Sequence, residues 1–296
     1  MRQGTREDYE NRILRVQLYI QNHLDNELSL DELANVACFS PFHFHRIFRG
    51  MVGESVKEYV RRNRLKRAAM ELVYSRRPVT QIAFDSGYET HESFTRAFRG
   101  MFDVPPKKFR ENHKIEFNQL SGARESKFET LITQTGDDSM KEKTEVKIEK
   151  FPAKTVAFVR HVGPYNQCHA AWQKLCSNKG VASLLGRDSL FIGICYDDPD
   201  DTDADKIRYD ACVQVGDDFS PNDGIAKQQI EGGDFAVMIH KGSYDNLHLS
   251  YKWLYGQWLP SSGREPKYGP SLEIYRNSPD NTPPEELITD ICIPLK

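Results

Sequence analysis

Two segments about fifty residues apart place polar side chains on one face of a helix whose other face is apolar. The apolar faces repeat at helical spacing: Phe44, Ile47, Phe48 and Met51 in the first segment, and Phe94, Ala97, Phe98 and Met101 in the second. The opposite faces carry Phe42, His45, Arg46 and Arg49 in the first segment, and His91, Glu92, Thr95, Arg96 and Arg99 in the second. The tetrapeptide Phe-Arg-Gly-Met occurs in both segments, which indicates a duplication.

The side chains on these polar faces are types that read DNA bases. An arginine can donate two hydrogen bonds to one guanine, a glutamate can accept one from cytosine, and a threonine methyl group or an aromatic ring can contact the thymine methyl group. Helix N-terminal amides and nearby lysines and arginines can hold phosphates. Because the duplication repeats the polar face as well as the apolar one, a DNA interface is favoured over a purely structural helical bundle. Which side chains read bases and which hold phosphates stays open.

Alternatives compete at individual positions on these faces. Phe42 can be a further core aromatic, and Glu92 can cap its helix or pair with Arg96. His43 and His45 are metal-ligand types, but residues two apart on a helix point to different sides. We therefore expect no metal at this segment.

The surrounding sequence predicts the helices that position the two faces. They run from Arg12 to Leu24, Ser29 to Ala37, Ser40 to Met51, Ser55 to Leu72, Pro78 to Ala83 and His91 to Met101. Ser29 with Glu32 forms a capping box, Ser40-Pro41 gives an N-cap followed by a first-turn proline, and Gly87 supplies a turn. This order predicts two helix-turn-helix units joined by a long helix.

Charge divides the chain into two halves. The net charge is −3, but residues 1–113 carry +4 and residues 114–296 carry −7. Lys57–Arg67 holds six basic residues and one acidic residue, which fits either phosphate contact or a solvated helix face. The six cysteines are scattered, no apolar run can span a bilayer, and the N-terminus lacks a secretion signal. These features predict a cytoplasmic protein without a membrane partner.

Residues 8–113 resemble the AraC/XylS-type DNA-binding domain. The most specific part is the second copy, Ile82–Arg110, with its Phe-Asp-Val-Pro-Pro ending. The resemblance implies that the second helix of each unit enters a major groove of double-stranded DNA. It maps the two polar faces onto the groove-reading positions. RNA polymerase is an expected partner, and an activator is expected, with a repressor as the alternative.

The second half contains a different duplication. After a predicted linker over 114–143, the segments His161-Val-Gly-Pro-Tyr165 and His240-Lys-Gly-Ser-Tyr244 repeat, and Trp172 then corresponds to Tyr251. Alternating apolar residues predict strands over Val146–Phe151, Thr155–Val162, Leu190–Tyr196, Ile207–Val215, Ser271–Tyr275 and Ile288–Leu295. The aspartate-rich segment Asp197–Asp205 is interpreted as a solvated hairpin loop, because it lacks the glycine and closing glutamate of an EF-hand.

Residues 144–296 resemble the GyrI-like, or BmrR-type, effector-binding domain. The residues that carry this resemblance are the two His-x-Gly-x-Tyr elements, Tyr196-Asp-Asp-Pro199, Arg208-Tyr-Asp210 and Gly269–Tyr275. The resemblance implies a ligand cavity at the seam of the two copies, with Glu273 as its acidic residue. The candidate walls are Trp253, Trp258, Tyr275, Tyr196 and Phe191. An exposed strand position for Glu273, and ordinary core positions for the aromatics, are the alternatives.

The expected fold class is multidomain α and α+β, with an N-terminal all-α bipartite helix-turn-helix domain and a C-terminal duplicated antiparallel α/β effector-binding domain. This combination resembles Rob-like regulators. We expect a transcription regulator that binds DNA and a small apolar or cationic effector, as a monomer or weak dimer, without enzymatic activity, cofactor or metal. The alternatives for the second half are a small-molecule hydrolase and a protein-binding module. His161 and His240 are interpreted as residues that close turns.

Overall fold

The computed structural model describes residues 3–119, 145–186 and 189–296 of the chain. The described residues divide into two compact units. One contains the chain as far as Ile13, Ala34–Ser55 and the C-terminal sheet domain, and the other contains Leu14–Leu33 and the helices from Val56 onward. This division differs from the predicted boundaries at 113 and 144, because Ala34–Ser55 packs with the C-terminal sheet domain.

The N-terminal region is helical throughout, as predicted. Its helices are α1 Gln3–Asn22, α2 Leu30–Ala37, α3 Pro41–Val52, α4 Val56–Tyr74, α5 Val79–Asp85, α6 His91–Phe102 and α7 Pro106–Gln119. The Ser29 hydroxyl accepts a hydrogen bond from the Glu32 N–H at 3.2 Å, as the capping box predicts. Helix α7 covers the first six residues of the predicted linker, and the remaining residues, 120–143, lie outside the described residues.

The second helix-turn-helix unit has an aromatic core formed by α4, α5, α6 and α7. Phe94 and Phe98 of α6 are fully buried, and the ring of Phe98 meets that of Phe109 edge-on at 5.2 Å. Gly87 takes a φ of 80° in the turn between α5 and α6, a conformation that glycine adopts without steric cost. The core therefore fixes the apolar face of α6 inward and leaves its polar face outward.

The C-terminal domain is an eight-stranded antiparallel sheet with helices on one face. Its elements are β1 Val146–Phe151, β2 Lys154–Val162, α8 His169–Ser177, α9 Lys179–Ala182, β3 Phe191–Cys195, β4 Arg208–Gln214, β5 Ala226–Ile230, β6 Gly233–Lys241, α10 Leu247–Trp253, α11 Leu259–Ser261, β7 Ser271–Tyr275 and β8 Ile288–Pro294. The strand order is β1-β6-β8-β7-β3-β4-β2-β5. A π-helical turn, Leu254–Trp258, joins α10 to α11. The predicted fold class is therefore confirmed.

Strands β3 and β7 pair at the centre of the sheet, where the two copies meet. Gly193 lies directly opposite Glu273 in this pair. Leu272 and Ile274 point into the core on one face of the sheet, so alternation places Glu273 on the other face. That face also carries Cys195 and Tyr209 and is covered by α8. The carboxylate therefore points toward the helices.

Over the described ranges, no helix combines the length and the apolar character needed to cross a lipid bilayer.

Candidate DNA interface and candidate effector site

The polar face of α6 is an open surface. A shallow groove of about 600 Å³ is lined by His91, Glu92, Thr95, Arg96, Arg99 and Gly100. Thr90 caps this helix by accepting a hydrogen bond from the Ser93 N–H at 3.1 Å, so the cap does not require Glu92. Within the part of the chain that the structure describes, Arg96 and Arg99 form no ion pair. These guanidinium groups are therefore available to an external anion or base.

The equivalent face of α3 is covered, in contrast to the prediction that it is open to DNA. Arg46 is 7% exposed and His45 is 2% exposed. The ring of Phe42 meets that of Tyr268 at 5.0 Å, and Arg49 pairs with Asp198 at 3.8 Å and more closely with Asp200. The physical reason is that α10 and the π-helical turn pack against this helix within the same compact unit.

A directed chain of hydrogen bonds runs through the covered face of α3. His43 Nε2 lies 2.8 Å from the Lys267 carbonyl, so it donates, and Nδ1 then accepts from the Tyr255 hydroxyl at 2.8 Å. Tyr255 in turn accepts from the Ser271 hydroxyl at 2.8 Å, and Ser271 accepts from Arg46 Nη1 at 2.6 Å. These partners require a neutral imidazole at His43.

Burial keeps both histidines of this face neutral. It lowers the pKa of His43 to about 3, against a smaller opposite effect of the Lys267 carbonyl. It lowers the pKa of His45 to about 4, although the nearby Asp198 carboxylate acts in the other direction. Because their positions in a helix face different partners, these two histidines do not form a shared metal site. Along the described chain, no group of three potential ligands is arranged to hold a metal.

Two glycines allow α3 to approach the π-helical turn closely. A Cβ at Gly50 would lie 2.5 Å from the backbone nitrogen of Gly256, and one at Gly256 would lie 2.2 Å from the Gly50 carbonyl oxygen. Both obstacles are backbone atoms, so neither position tolerates a side chain without movement. At Gly100, the equivalent residue of α6, an added Cβ meets nothing within 4 Å.

Glu273 lies at the centre of a tyrosine cluster on the helix-covered face of the sheet, and it is 7% exposed. Tyr251 donates to its Oε1 at 3.0 Å and Tyr275 to its Oε2 at 2.6 Å. The Tyr275 oxygen accepts from the Tyr209 hydroxyl at 2.9 Å, and the Tyr209 oxygen accepts from Trp172 Nε1 at 3.1 Å. Every donor in this chain points toward the carboxylate, which is the arrangement expected around a buried negative charge.

The tyrosines around Glu273 remain protonated donors at neutral pH. Burial raises the pKa of the Tyr251 and Tyr275 hydroxyls well above the ordinary value, and the charge of Glu273 raises it further. A Cβ at Gly193 would lie 2.6 Å from the Tyr209 hydroxyl and 2.8 Å from that of Tyr275. The glycine opposite Glu273 therefore makes room for the hydroxyl groups that surround the carboxylate.

Comparison with known proteins assigns both halves of the chain. Residues 144–296 match the GyrI-like small molecule binding domain, which covers more than half of the chain. The chain belongs to the GyrI-like family. Residues 33–112 match a helix-turn-helix domain. The protein therefore combines an AraC-type helix-turn-helix region with a C-terminal GyrI-like domain.

Three relatives each match about a third of this chain. The regulatory protein SoxS of Salmonella typhimurium is 37% identical over 92 residues, which are 31% of this chain and 86% of SoxS. The HTH-type transcriptional regulator YbfP of Bacillus subtilis is 40% identical over 102 residues, and the transcriptional regulator Rob of Salmonella typhimurium is 34% identical over 93 residues. The matched segment spans 35% of YbfP and 32% of Rob.

Two solved structures resemble the GyrI-like domain. The C-terminal domain of EcmrR is 22% identical, with a TM-score of 0.43, and the match covers 52% of this chain and 99% of that domain. A hydrolase from Listeria innocua is 14% identical, with a TM-score of 0.40, over 52% of this chain and 93% of its own.

The structure brings together some of the residues predicted to bind an effector and separates others. Tyr275 contacts Glu273, and Phe191 reaches the cluster through Trp172, whose ring lies 6.1 Å away. Tyr196 lies on the opposite face of the sheet from Glu273, where its hydroxyl donates to Asp210 at 2.9 Å. The reason is the alternation of side chains: Cys195 takes the helix-covered face, and the next residue takes the other.

The two tryptophans predicted as walls lie in α10 and in the π-helical turn that follows it. Trp253 and Trp258 are half-buried, and no hydrogen bond or ring contact among the described residues joins either one to Glu273. Sequence reasoning missed Tyr251, Tyr209 and Trp172 as members of the site. The duplication held a usable signal, because it aligns Trp172 with Tyr251, and both contribute to the cluster from equivalent helices.

The histidines of the two His-x-Gly-x-Tyr elements close turns. His161 Nε2 lies 3.0 Å from the Pro164 carbonyl oxygen, and His240 Nε2 lies 3.2 Å from that of Ser243. Each imidazole therefore bridges the turn that follows its strand. This geometry gives them a structural role in the duplicated unit.

The basic segment of α4 divides into internal and external side chains. Arg64 donates to the Leu24 carbonyl at 3.0 Å, and Arg67 pairs with Asp25 at 2.7 Å. Arg62 lies over the ring of Tyr59 at 5.0 Å, whereas Arg61 is exposed. Arg64 and Arg67 therefore stabilise the fold, and Arg61 is available to an external partner.

Proposed function

We propose that this protein is a transcription regulator that reads double-stranded DNA with the polar face of α6 and responds to a small apolar cation bound by its GyrI-like domain. The observation that supports this most strongly is the α6 surface. It combines exposed, unpaired Arg96 and Arg99 with Glu92 and Thr95 on a helix whose other face is anchored by Phe94 and Phe98.

The chemistry of α6 favours base recognition over simple attraction to phosphate. Arginine can form two parallel hydrogen bonds to guanine, and a carboxylate can accept from cytosine but repels phosphate. Glu92 would therefore be unfavourable on a surface that only held the DNA backbone. Arg61 of α4 supplies the complementary, sequence-independent contact in this proposal.

The chemistry of the Glu273 cluster favours a cationic effector. A carboxylate in a partly desolvated site attracts positive charge more strongly than one in water, and aromatic faces add cation–π attraction. The surrounding tyrosine and tryptophan rings supply apolar area. A ligand that joins a positive charge to an apolar or aromatic body satisfies both features.

The proposal assigns the GyrI-like domain to binding and not to catalysis. Its buried tyrosines have raised pKa values and remain donors. Burial also raises the pKa of the Cys195 thiol, which hydrogen-bonds to Glu273, well above the ordinary value, and the charge of Glu273 raises it further. Because the thiolate is the nucleophilic form, a protonated Cys195 is a poor nucleophile. A hydrolase and a protein-binding module remain the alternatives that a turnover assay and a pull-down would test. The proposal also includes RNA polymerase as a partner, a cytoplasmic location, and action as a monomer or weak dimer.

The decisive experiment compares specific with random DNA. Binding sites are first selected from a random-sequence library with the full chain, and affinities are then measured for Arg96→Ala and Arg96→Lys. Both variants should lose about 1–3 kcal/mol on selected sites, since lysine keeps the charge but cannot form the arginine fork. On random DNA, Arg96→Lys should bind as the wild type does.

Arg76→Ala serves as the matched control, because it removes an exposed arginine that lies outside α6. Equal losses on selected and random DNA for both Arg96 variants would show that this arginine holds phosphate, and the assignment of α6 as the reading helix would be abandoned.

A further inference from the structure

The covered face of α3 places a cation beside the candidate effector site. The guanidinium carbon of Arg46 lies 4.5 Å from the centre of the Tyr251 ring and 5.8 Å from that of Tyr255. Both distances are within the range of cation–π attraction. The hydroxyl of Tyr251 is the same group that donates to Glu273. Tyr251 therefore contacts the guanidinium of Arg46 with its ring face and the carboxylate of Glu273 with its hydroxyl group.

Charge complementarity extends along the rest of this face. Arg49 pairs with Asp198 and Asp200, which follow β3, and Arg46 Nη2 lies 3.5 Å from the Asp197 carbonyl oxygen. The aspartate-rich segment that sequence reasoning interpreted as a solvated loop therefore receives an arginine of α3. In the described chain, Arg46 and Arg49 of α3 contact the GyrI-like domain, whereas the equivalent arginines of α6 form no ion pair.

The two copies of the Phe-Arg-Gly-Met segment also differ in what surrounds their glycines. Gly50 meets the backbone of Gly256, while an added Cβ at Gly100 would meet nothing within 4 Å. The close approach at Gly50 and the cations at Arg46 and Arg49 lie on one surface of α3. Shape and charge therefore point to a specific docking surface for this helix on the GyrI-like domain.

We propose that the GyrI-like domain binds α3 through its effector site, so that Arg46 is an intrachain ligand that a cationic effector displaces. This inference rests on the proposed function, since it takes the Glu273 cluster as the effector site. The side chains that dock are the ones predicted to read DNA in the first helix-turn-helix unit: Phe42, His45, Arg46 and Arg49. They cannot contact a major groove while they are docked on the GyrI-like domain.

In this proposal, effector binding at the Glu273 cluster and DNA binding by α3 both require that α3 leaves the GyrI-like domain. The two ligands therefore favour the same released state. Each ligand then increases the affinity of the other by the same factor, because coupling between two binding sites is reciprocal. An effector that displaces Arg46 acts as an inducer of DNA binding by the first unit. The strength of this coupling is limited by how strongly docking is favoured over release.

The guanidinium of Arg46 suggests the probe for a test on the full chain. Benzylguanidinium carries the same cation on an aromatic body, and benzylurea is its neutral counterpart of similar shape. Hydrogen exchange of the backbone amides of α3, residues 42–52, reports release of the helix, and calorimetry reports binding. Benzylguanidinium should accelerate exchange in α3 of the wild type, and benzylurea should not.

Two variants release the helix without changing a charged group. Gly256→Ala places a methyl group against the Gly50 carbonyl and leaves α3 unaltered, and Gly50→Ala makes the reciprocal change. Each should speed exchange in α3 and tighten benzylguanidinium binding by about tenfold or more, because the competing arginine is removed. Gly186→Ala, whose methyl group would meet nothing within 4 Å, should behave as the wild type.

The outcomes separate this inference from the proposed function. If benzylguanidinium binds the wild type without changing exchange in α3, or binds both glycine variants no more tightly than the wild type, the inference is overturned. If one glycine variant fails to fold, the other glycine variant provides the test. The exchange experiment on the wild type requires neither variant. Failure of benzylguanidinium to bind any folded variant overturns the inference together with the cationic effector site. Loss of base recognition by Arg96 variants is a separate result.

Discussion

Acidification should loosen the docked α3 because two of its histidines are held neutral. His43 faces Tyr255, Arg46, His45 and the Lys267 carbonyl, and burial lowers its pKa to about 3. His45 faces Asp198, Asp197, Arg46 and the Pro41 carbonyl, and its pKa is lowered to about 4. The ordinary value is 6.5 for both. The folded pKa values are the lower ones, so stability present above the ordinary value is lost as pH falls below it.

The magnitude follows from the two pKa values. At pH of about 5.5, an exposed histidine binds a proton with a gain of roughly 1.4 kcal/mol, whereas a docked one gains almost nothing. The two histidines together should therefore cost the docked state about 3 kcal/mol relative to neutral pH. The loss should begin near pH 6.5 and continue toward pH 4, where His45 itself begins to titrate in the docked state.

The assay is urea unfolding of the wild type and of His43→Gln at pH 7.5 and pH 5.5. The change between the two pH values should be smaller in the variant by about 1.4 kcal/mol, because one of the two titrating groups has been removed. Subtracting the pH dependence of the variant from that of the wild type removes the contribution of every other group that titrates in both proteins. His91→Gln, which alters an exposed histidine of α6, is the control. Identical pH dependence in the wild type and His43→Gln would refute the argument.

Three further predictions concern single side chains. Glu273→Gln should weaken a cationic ligand by tenfold or more and leave its neutral isostere unchanged in calorimetry, since shape is kept and charge is lost. Gly193→Ala should lower the free energy of unfolding by about 1–3 kcal/mol, because its methyl group would lie 2.6 Å from the Tyr209 hydroxyl; Gly186→Ala is the control. Arg61→Ala should weaken binding to selected and random DNA alike and reduce the salt slope by about 1.

Each of these has an outcome that contradicts it. Equal weakening of cationic and neutral ligands would assign Glu273 a structural role. Unchanged stability of the Gly193 variant would show that the tyrosine hydroxyls can move aside. A loss confined to selected sites would make Arg61 a base-reading residue.

Secondary structure was predictable wherever the spacing of apolar side chains agreed with the turn residues at both ends of the segment. The predicted strand Ser271–Tyr275 coincides with β7, and the predicted strand Thr155–Val162 differs from β2 by one residue. Both have apolar residues at period two between turn residues. Strand β5, Ala226–Ile230, was not predicted, because its central residues are Lys-Gln-Gln and it pairs only with β2 at the edge of the sheet. Its formation depends on a partner strand that the local sequence does not reveal.

The candidate effector site was predictable only at its centre. Alternation within β7 set the face of Glu273, and the resemblance of the second half to effector-binding domains selected this residue. The surrounding hydroxyl groups come from α10, β4 and β7, which are far apart in sequence. Tyr196 was a reasonable candidate by composition, but a shift of one residue along an extended chain places a side chain on the opposite face. Which side chains lie beside Glu273 is therefore decided by the register of the strands.

The sequence by itself determined that the chain carries two copies of an amphipathic helix and a duplicated sheet unit, because periodicity and repeats are properties of local order. It could not distinguish the environments of the two helices, since both carry the same apolar back, a basic front and the segment Phe-Arg-Gly-Met. Tertiary structure made that distinction. The front of α6 is open, whereas α3 meets Gly256, the aspartates after β3 and the rings beside Glu273. Complementary shape and charge exist only once distant segments have been brought together by folding.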